Sequence, residues 1–154
     1  MRTILCMNSK GGCGKTTLVT NLATWFADDG KRVAIADHDP QRSSLDWLEA
    51  RRDYDGVPDI QGIDAVTGGE RLSPGTDVAL LDAAAGIAGP GITHLLRRAD
   101  VLMVPVLPSP IDMRAAARFI EQLLHSGRIT RGQTRIGLVA NRVRENTRIY
   151  QALE

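Results

Sequence analysis

The stretch Ser9-Lys10-Gly11-Gly12-Cys13-Gly14-Lys15-Thr16-Thr17 constrains this chain more than any other. It joins a short apolar run, Thr3–Asn8, to Thr16–Ala27, where Leu18, Leu22, Trp25 and Phe26 recur at helical spacing. Between a strand and a helix, glycines let backbone N–H groups converge on phosphate oxygens, and the helix presents its positive N-terminus to them. The spacing gives Lys15 reach to β- and γ-phosphates and makes the Thr16 hydroxyl a Mg²⁺ ligand. Thr17 adds a hydroxyl near the α-phosphate. Gly11, Gly12, Cys13 and Gly14 form the cradle, in which Cys13 occupies a tolerant position.

The rest of the chain alternates between two kinds of segment. Asp28, Asp29 and Gly30 close the first helix, and Arg32–Ala36 reads as a second buried strand ending at Asp37. Ser43 or Ser44 caps a helix running to about Arg51. Residues 53–76 scatter Gly, Pro and Asp among short apolar stretches and predict no regular element. Asp77–Leu81 is a third buried strand ending at Asp82, followed by an Ala- and Gly-rich loop over Ala83–Gly91 and a short helix over Ile92–Arg98. Val101–Val106 is a further strand that Pro105 pushes towards an interruption or its end. Ser109-Pro110 starts a helix to about Ser126, since Pro fits the first helical position. Arg135–Ala140 is a strand, and Glu145–Glu154 begins a polar helix. Continuously apolar strands alternating with helices predict one α/β domain over residues 1–154, with a mostly parallel twisted sheet and helices on both faces.

Composition narrows the class. Hydrophobic side chains make up 43%, charged ones 24%, and the net charge is +1, which excludes a disordered tail, a collagen-like repeat and a strongly basic nucleic-acid clamp. No apolar run approaches the ~18 residues of a membrane span, and the N-terminus lacks a signal-peptide pattern. A cytoplasmic domain is therefore expected. Cys6 and Cys13 are too few for a disulfide framework or a four-ligand metal site. His38, His94 and His125 are isolated and read as surface or turn residues. Charge is unevenly spread: residues 1–96 carry 9 Lys and Arg against 13 acids, whereas residues 97–154 carry 10 arginines against 5 acids. Arginine suits phosphate recognition, although a solvated helix face explains most such clusters.

Two acidic positions follow apolar strands. Asp37-His38-Asp39-Pro40-Gln41 sets two carboxylates at i and i+2, where both can face the crevice at the C-terminal ends of a parallel sheet. Asp-Pro equally favours a plain turn. Asp82 stands where phosphate-loop enzymes place an acid that contacts Mg²⁺. The small residues Ala83-Ala84-Ala85-Gly86 after it allow close approach to a terminal phosphate and movement when that phosphate leaves.

Ser9 stands where the common phosphate-loop pattern has its first glycine, and a second lysine, Lys10, follows it. This K-G-G-x-G-K-T-T form resembles the deviant phosphate loop of the ParA/MinD family of ATPases. Asp37 to Gln41 is similar to the D-x-D-P-Q motif of ParA proteins, and Ser43 to Trp47 (SSLDW) continues in their style. Val104-Pro105-Val106 and Pro108 to Asp112 resemble the ParA strand and helix start, and Asn141 follows the strand RIGLVA as in relatives. The likeness runs from Met1 to roughly residue 150. It implies a P-loop NTPase fold that binds ATP or ADP with Mg²⁺ and hydrolyses ATP. By the same carry-over, Lys10 reaches across a dimer to the partner's nucleotide, Asp39 orients the attacking water, Asp37 holds a Mg²⁺-bound water, and Asn141 bonds adenine.

The function so implied is an ATP-hydrolysing dimerisation switch that partitions or positions DNA or another large cargo. It would act as an ATP-dependent homodimer, bind non-specific DNA and hence the nucleoid, and be stimulated by a ParB-like adaptor. Arg128, Arg131, Arg135, Arg142, Arg144 and Arg148 are, as a set, candidates for the basic surface. The alternatives are a nucleotide-dependent scaffold with little hydrolysis, a metabolic phosphotransferase, and a MinD-like membrane-associated positioning ATPase. Relatives of this type run longer, so a C-terminal truncation that removes an edge element is expected.

Overall fold

The structure, a computed structural model, describes residues 1–69, 71–125 and 127–144. The elements in chain order are β1 (Arg2–Cys6), α1 (Lys15–Asp28), β2 (Val33–His38), α2 (Ser43–Arg51), β3 (Ile60–Asp64) and β4 (Val78–Ala83), followed by α3 (Pro90–Leu96), β5 (Val101–Val106), α4 (Pro110–Leu124), α5 (Gly127–Thr130) and β6 (Arg135–Ala140). The six strands form one sheet in the order β3-β2-β4-β1-β5-β6, and every pairing is parallel. The expected helix over Glu145–Glu154 lies outside the described residues, as does Arg148.

Strand residues alternate between two cores. Ile4, Cys6, Ile35 and Leu80 pack with Val19 and Ala23 of α1 and Leu45 and Leu48 of α2. Leu5, Met7, Leu81 and Val104 pack on the other face with Leu95 and Leu96 of α3 and Ala116, Phe119 and Leu123 of α4. Helices therefore cover both faces, which is why the central strands are apolar without alternation. Each fully buried Leu contributes roughly 1.5–3 kcal/mol, and the small Ala23 and Ala116 let their helices approach the sheet closely.

Three local expectations change. The 53–76 segment contains an edge strand, β3, whose Gly62 leaves no side chain where the methyl groups of Leu45 and Leu48 sit: a Cβ there would lie 2.9 Å from Leu48 Cδ1. Neither Ser43 nor Ser44 caps α2. Arg42 occupies the cap position at φ 55° without a side-chain bond, while Ser44 is wholly buried and serves Asp37. Pro105 falls one residue before the end of β5, as expected. β1 pairs with β5 only as far as Cys6 opposite Met103, so the missing Pro105 N–H faces the side where β1 has already ended. The Pro105 carbonyl on that side accepts the Asn8 side-chain amide at 2.7 Å. The Ser109-Pro110 helix start stands as expected, with Ser109 Oγ accepting the Asp112 N–H at 3.1 Å and Pro110 first in the helix. His38 ends β2 half-buried instead of lying in a surface turn.

Candidate functional site

A parallel sheet sends every strand's C-terminus to one edge, and the selected residues gather there. The phosphate loop leaves β1, the Asp37–Gln41 segment leaves β2, Asp82 lies near the end of β4, Asp112 follows β5, and Asn141 follows β6. Register tightens this grouping. Asp82 is opposite Asp37 on one side and Cys6 on the other.

The loop is shaped by two glycines in the left-handed region, Gly12 at φ 74° and Gly14 at φ 92°. Gly14 is the N-cap of α1 and supplies no side-chain bond, so the first N–H groups of that helix point into the loop without a side-chain cap. A Cβ at Gly14 would collide with the Asn141 amide, whose Nδ2 donates to the Cys13 carbonyl at 2.8 Å. Asn141 thus braces the loop directly. Cys13 is buried, and its thiol donates to the Lys10 carbonyl at 3.4 Å. The Lys15 ammonium reaches the same carbonyl at 3.5 Å, folded along its own loop. Thr16 and Thr17 begin α1 behind it, with Thr16 half-buried and Thr17 exposed.

Sequence reasoning missed Asn8 as a site residue. Its buried amide ties the β1 exit to β5 through Pro105, while its Oδ1 accepts the Lys10 N–H and the Ser9 hydroxyl, each at 3.3 Å. A buried Asn at a strand end, directly before a glycine-rich turn, was the available signal. Lys10 extends from the loop to Asp112 at 2.8 Å, and Asp112 also receives the Ser109 hydroxyl.

The carboxylates differ sharply. Asp37 accepts the Asp39 N–H at 2.9 Å on one oxygen, and the Ser44 N–H at 3.1 Å and hydroxyl at 2.5 Å on the other. Three of its roughly four lone-pair sites are occupied, leaving room for one bound water. Asp39 is half-buried and accepts the Gln41 N–H at 2.9 Å. Asp82 is buried with neither oxygen hydrogen-bonded. Its burial pushes the carboxyl pKa up to about 6, Asp37 and Asp39 add to that rise, and the Thr16 hydroxyl and Lys15 ammonium oppose it. Such an orphaned carboxylate fits a hard cation, which would neutralise it. Among the described residues no three His, Cys, Asp or Glu side chains converge to hold a metal, and Asp82 with Thr16 would be the groups to hold a Mg²⁺.

Among the described residues the arginines do not form one patch. Arg131 and Arg135 are exposed at the N-terminal end of β6, whereas Arg142 and Arg144 are exposed beyond its C-terminal end, about 20 Å away at ~3.3 Å per residue. Arg128 belongs to α5. No helix among the described residues is long and apolar enough to cross a membrane.

Sheet order, loop and carboxylates together define a phosphate-loop nucleotide-binding domain. Residues 4–154 match the CobQ/CobB/MinD/ParA nucleotide binding domain, and the chain belongs to that family. It is 30% identical over 156 residues to the maintenance of carboxysome distribution protein A of Halothiobacillus neapolitanus, covering 99% of this chain and 71% of that protein. It is 33% identical over 129 residues to the chromosome-partitioning ATPase Soj of Thermus thermophilus, covering 76% of this chain. The chain spans only about half the length of that relative, at 51%. Its fold matches a cobyrinic acid a,c-diamide synthase from Mycobacterium smegmatis bound to an ATP analogue and magnesium, with TM-score 0.77 at 19% identity, covering 99% of this chain and 80% of that one.

Proposed function

We propose that this chain is a ParA-type positioning ATPase, which hydrolyses ATP with Mg²⁺ and uses ATP-dependent pairing of two copies to place DNA or another large cargo. The observation that carries the reading is the division of labour between the two loop lysines. Lys15 is buried along its own loop, whereas the Lys10 side chain leaves the loop for Asp112 and is 40% exposed. A cation on the rim can neutralise phosphoryl charge on a facing subunit, as an arginine finger does. Mg²⁺, held by Asp82 and Thr16, would neutralise charge on the β- and γ-phosphates when bound. Asp39, whose backbone N–H is held by Asp37 and whose side chain is half-exposed, would orient the attacking water in this reading. Asn141 donates to the Cys13 carbonyl and accepts the Arg142 N–H, and its second amide N–H would meet a base edge in this reading.

Relatives support the class of task. Soj is named a chromosome-partitioning ATPase and the Halothiobacillus protein maintains carboxysome distribution. For this chain the reading includes non-specific DNA binding in the ATP state, association with the nucleoid, and stimulation by a ParB-like adaptor that selects the cargo. Asp37-His38-Asp39-Pro40-Gln41 favours the ParA branch over a MinD-like membrane-associated one.

The experiment is ATP-dependent association and phosphate release measured on the parent chain and Lys10→Ala. The variant should keep the native melting temperature yet lose pairing and about 10³-fold of the hydrolysis rate, the lower end of the arginine-finger range. Parental hydrolysis in Lys10→Ala would refute the trans role.

A further inference from the structure

We infer that Asp112 is a positioning residue that holds Lys10 in cis, and that breaking this bridge makes Lys10 available to a second subunit. The inference rests on the proposed trans role of Lys10.

Both ends of the bridge are anchored before they meet. On the Lys10 side, the backbone N–H is held by Asn8, and the carbonyl accepts the Cys13 thiol and the Lys15 ammonium. On the Asp112 side, one oxygen accepts Lys10 at 2.8 Å while the other accepts the Ser109 hydroxyl. Ser109 in turn caps α4 through the Asp112 N–H. The carboxylate is therefore fixed by the first turn of α4, and little side-chain freedom remains to be lost when Lys10 docks. Lys10 and Ser109 also hold the Asp112 carboxyl below the usual carboxylate range, so the bridge stays charged at neutral pH.

The topology explains why these residues, 102 positions apart, meet. β5 lies directly beside β1, so the start of α4 stands next to the phosphate loop. The bridge is accessible on the Lys10 side, 40% exposed, and mostly covered on the Asp112 side, 15% exposed. Beside it Ile111 is 68% exposed, a large apolar side chain on the rim that a face-to-face partner would cover. An ammonium engaged by Asp112 cannot at the same time neutralise a partner's phosphate. The fold thus sets a threshold that association must overcome, and a partly exposed pair makes that threshold small and reversible.

The test compares the full chain with Asp112→Asn, Asp112→Glu and the double variant Lys10→Ala/Asp112→Asn. The first readout is chemical: acetylation of the Lys10 amine in the ADP state, followed by mass spectrometry, should run several-fold faster in Asp112→Asn and return towards the parent in Asp112→Glu. The second is the chain concentration for half-maximal ATP-dependent pairing, which should fall about threefold to tenfold in Asp112→Asn. The double variant should match Lys10→Ala alone. Unchanged Lys10 reactivity, or weaker pairing in Asp112→Asn while Lys10→Ala still abolishes pairing, overturns the latch and leaves the trans reading standing. If Lys10→Ala itself pairs and hydrolyses normally, the trans reading fails and the latch fails with it.

Discussion

Asp37 and Asp82 stand opposite each other in register on β2 and β4, yet one carboxylate accepts three hydrogen bonds and the other none. The first orders Asp39 and the start of α2. The other is buried, and burial raises its pKa to about 6.

Asp82→Asn should stabilise the metal-free chain by about 1–3 kcal/mol at pH 7, since a neutral amide removes a buried charge without changing shape. The sign with pH follows from the same cause. The folded-state pKa is raised to about 6, so this group's contribution to stability is greatest below its ordinary value of 3.8 and is lost as pH rises towards and through 6. Thermal melts of the parent and variant in EDTA from pH 4 to 8 check this, with the gap between them widening upward. In Mg²⁺ and nucleotide the order should reverse, because the variant loses the ligand that the cation needs.

Ser44→Ala should destabilise the fold by about 1–2 kcal/mol and leave nucleotide affinity nearly unchanged. Asp37→Ala should cost more, about 2–4 kcal/mol, because it strands the Ser44 N–H and hydroxyl together and releases Asp39. Hydrolysis should fall steeply in Asp37→Ala only. Equal catalytic losses in the two variants would show that Asp37 acts through α2 alone.

Gly14→Ala should nearly abolish nucleotide binding, for two separable reasons: φ 92° strains any L side chain, and the new methyl meets the Asn141 amide. Removing the second obstacle with Gly14→Ala/Asn141→Ala should recover part of the affinity, read by titration with a fluorescent ATP analogue. Full recovery would mean that backbone strain at Gly14 is unimportant. Asn141→Ala alone should weaken binding several-fold, since the Cys13 carbonyl loses its donor.

Which parts of this were legible in the sequence follows from physics at each position. The parallel sheet and its two helical layers were readable because β1, β2, β4 and β5 are buried on both faces and must be continuously apolar. β3 was hidden: at the sheet's edge it needs few apolar residues, and Gly62 is there to admit Leu45 and Leu48. The phosphate loop was readable from glycine spacing. The tie from Asn8 to β5 and the bracing of the loop by Asn141 and Asp112 were not, because those contacts join residues about 100 or more positions apart. The α2 cap misled for a related reason. Ser44 looked like a local cap, while its actual partner lies on β2.

DNA contact is predicted to depend on Arg131 and Arg135 more than on Arg142 and Arg144. The nucleotide edge, where Arg142 and Arg144 lie, is the edge that a face-to-face ATP dimer would bury, and arginines within it are shielded from a duplex. Arg131 and Arg135 sit at the opposite end of β6, exposed and away from that edge. Arg131→Ala/Arg135→Ala should therefore reduce the salt dependence of DNA binding by about two phosphate contacts per subunit, with pairing and basal hydrolysis retained. Filter binding at several salt concentrations in ATP measures the slope. If Arg142→Ala/Arg144→Ala lowers that slope instead, with pairing intact, the DNA surface lies at the nucleotide edge and the proposed dimer geometry must be redrawn.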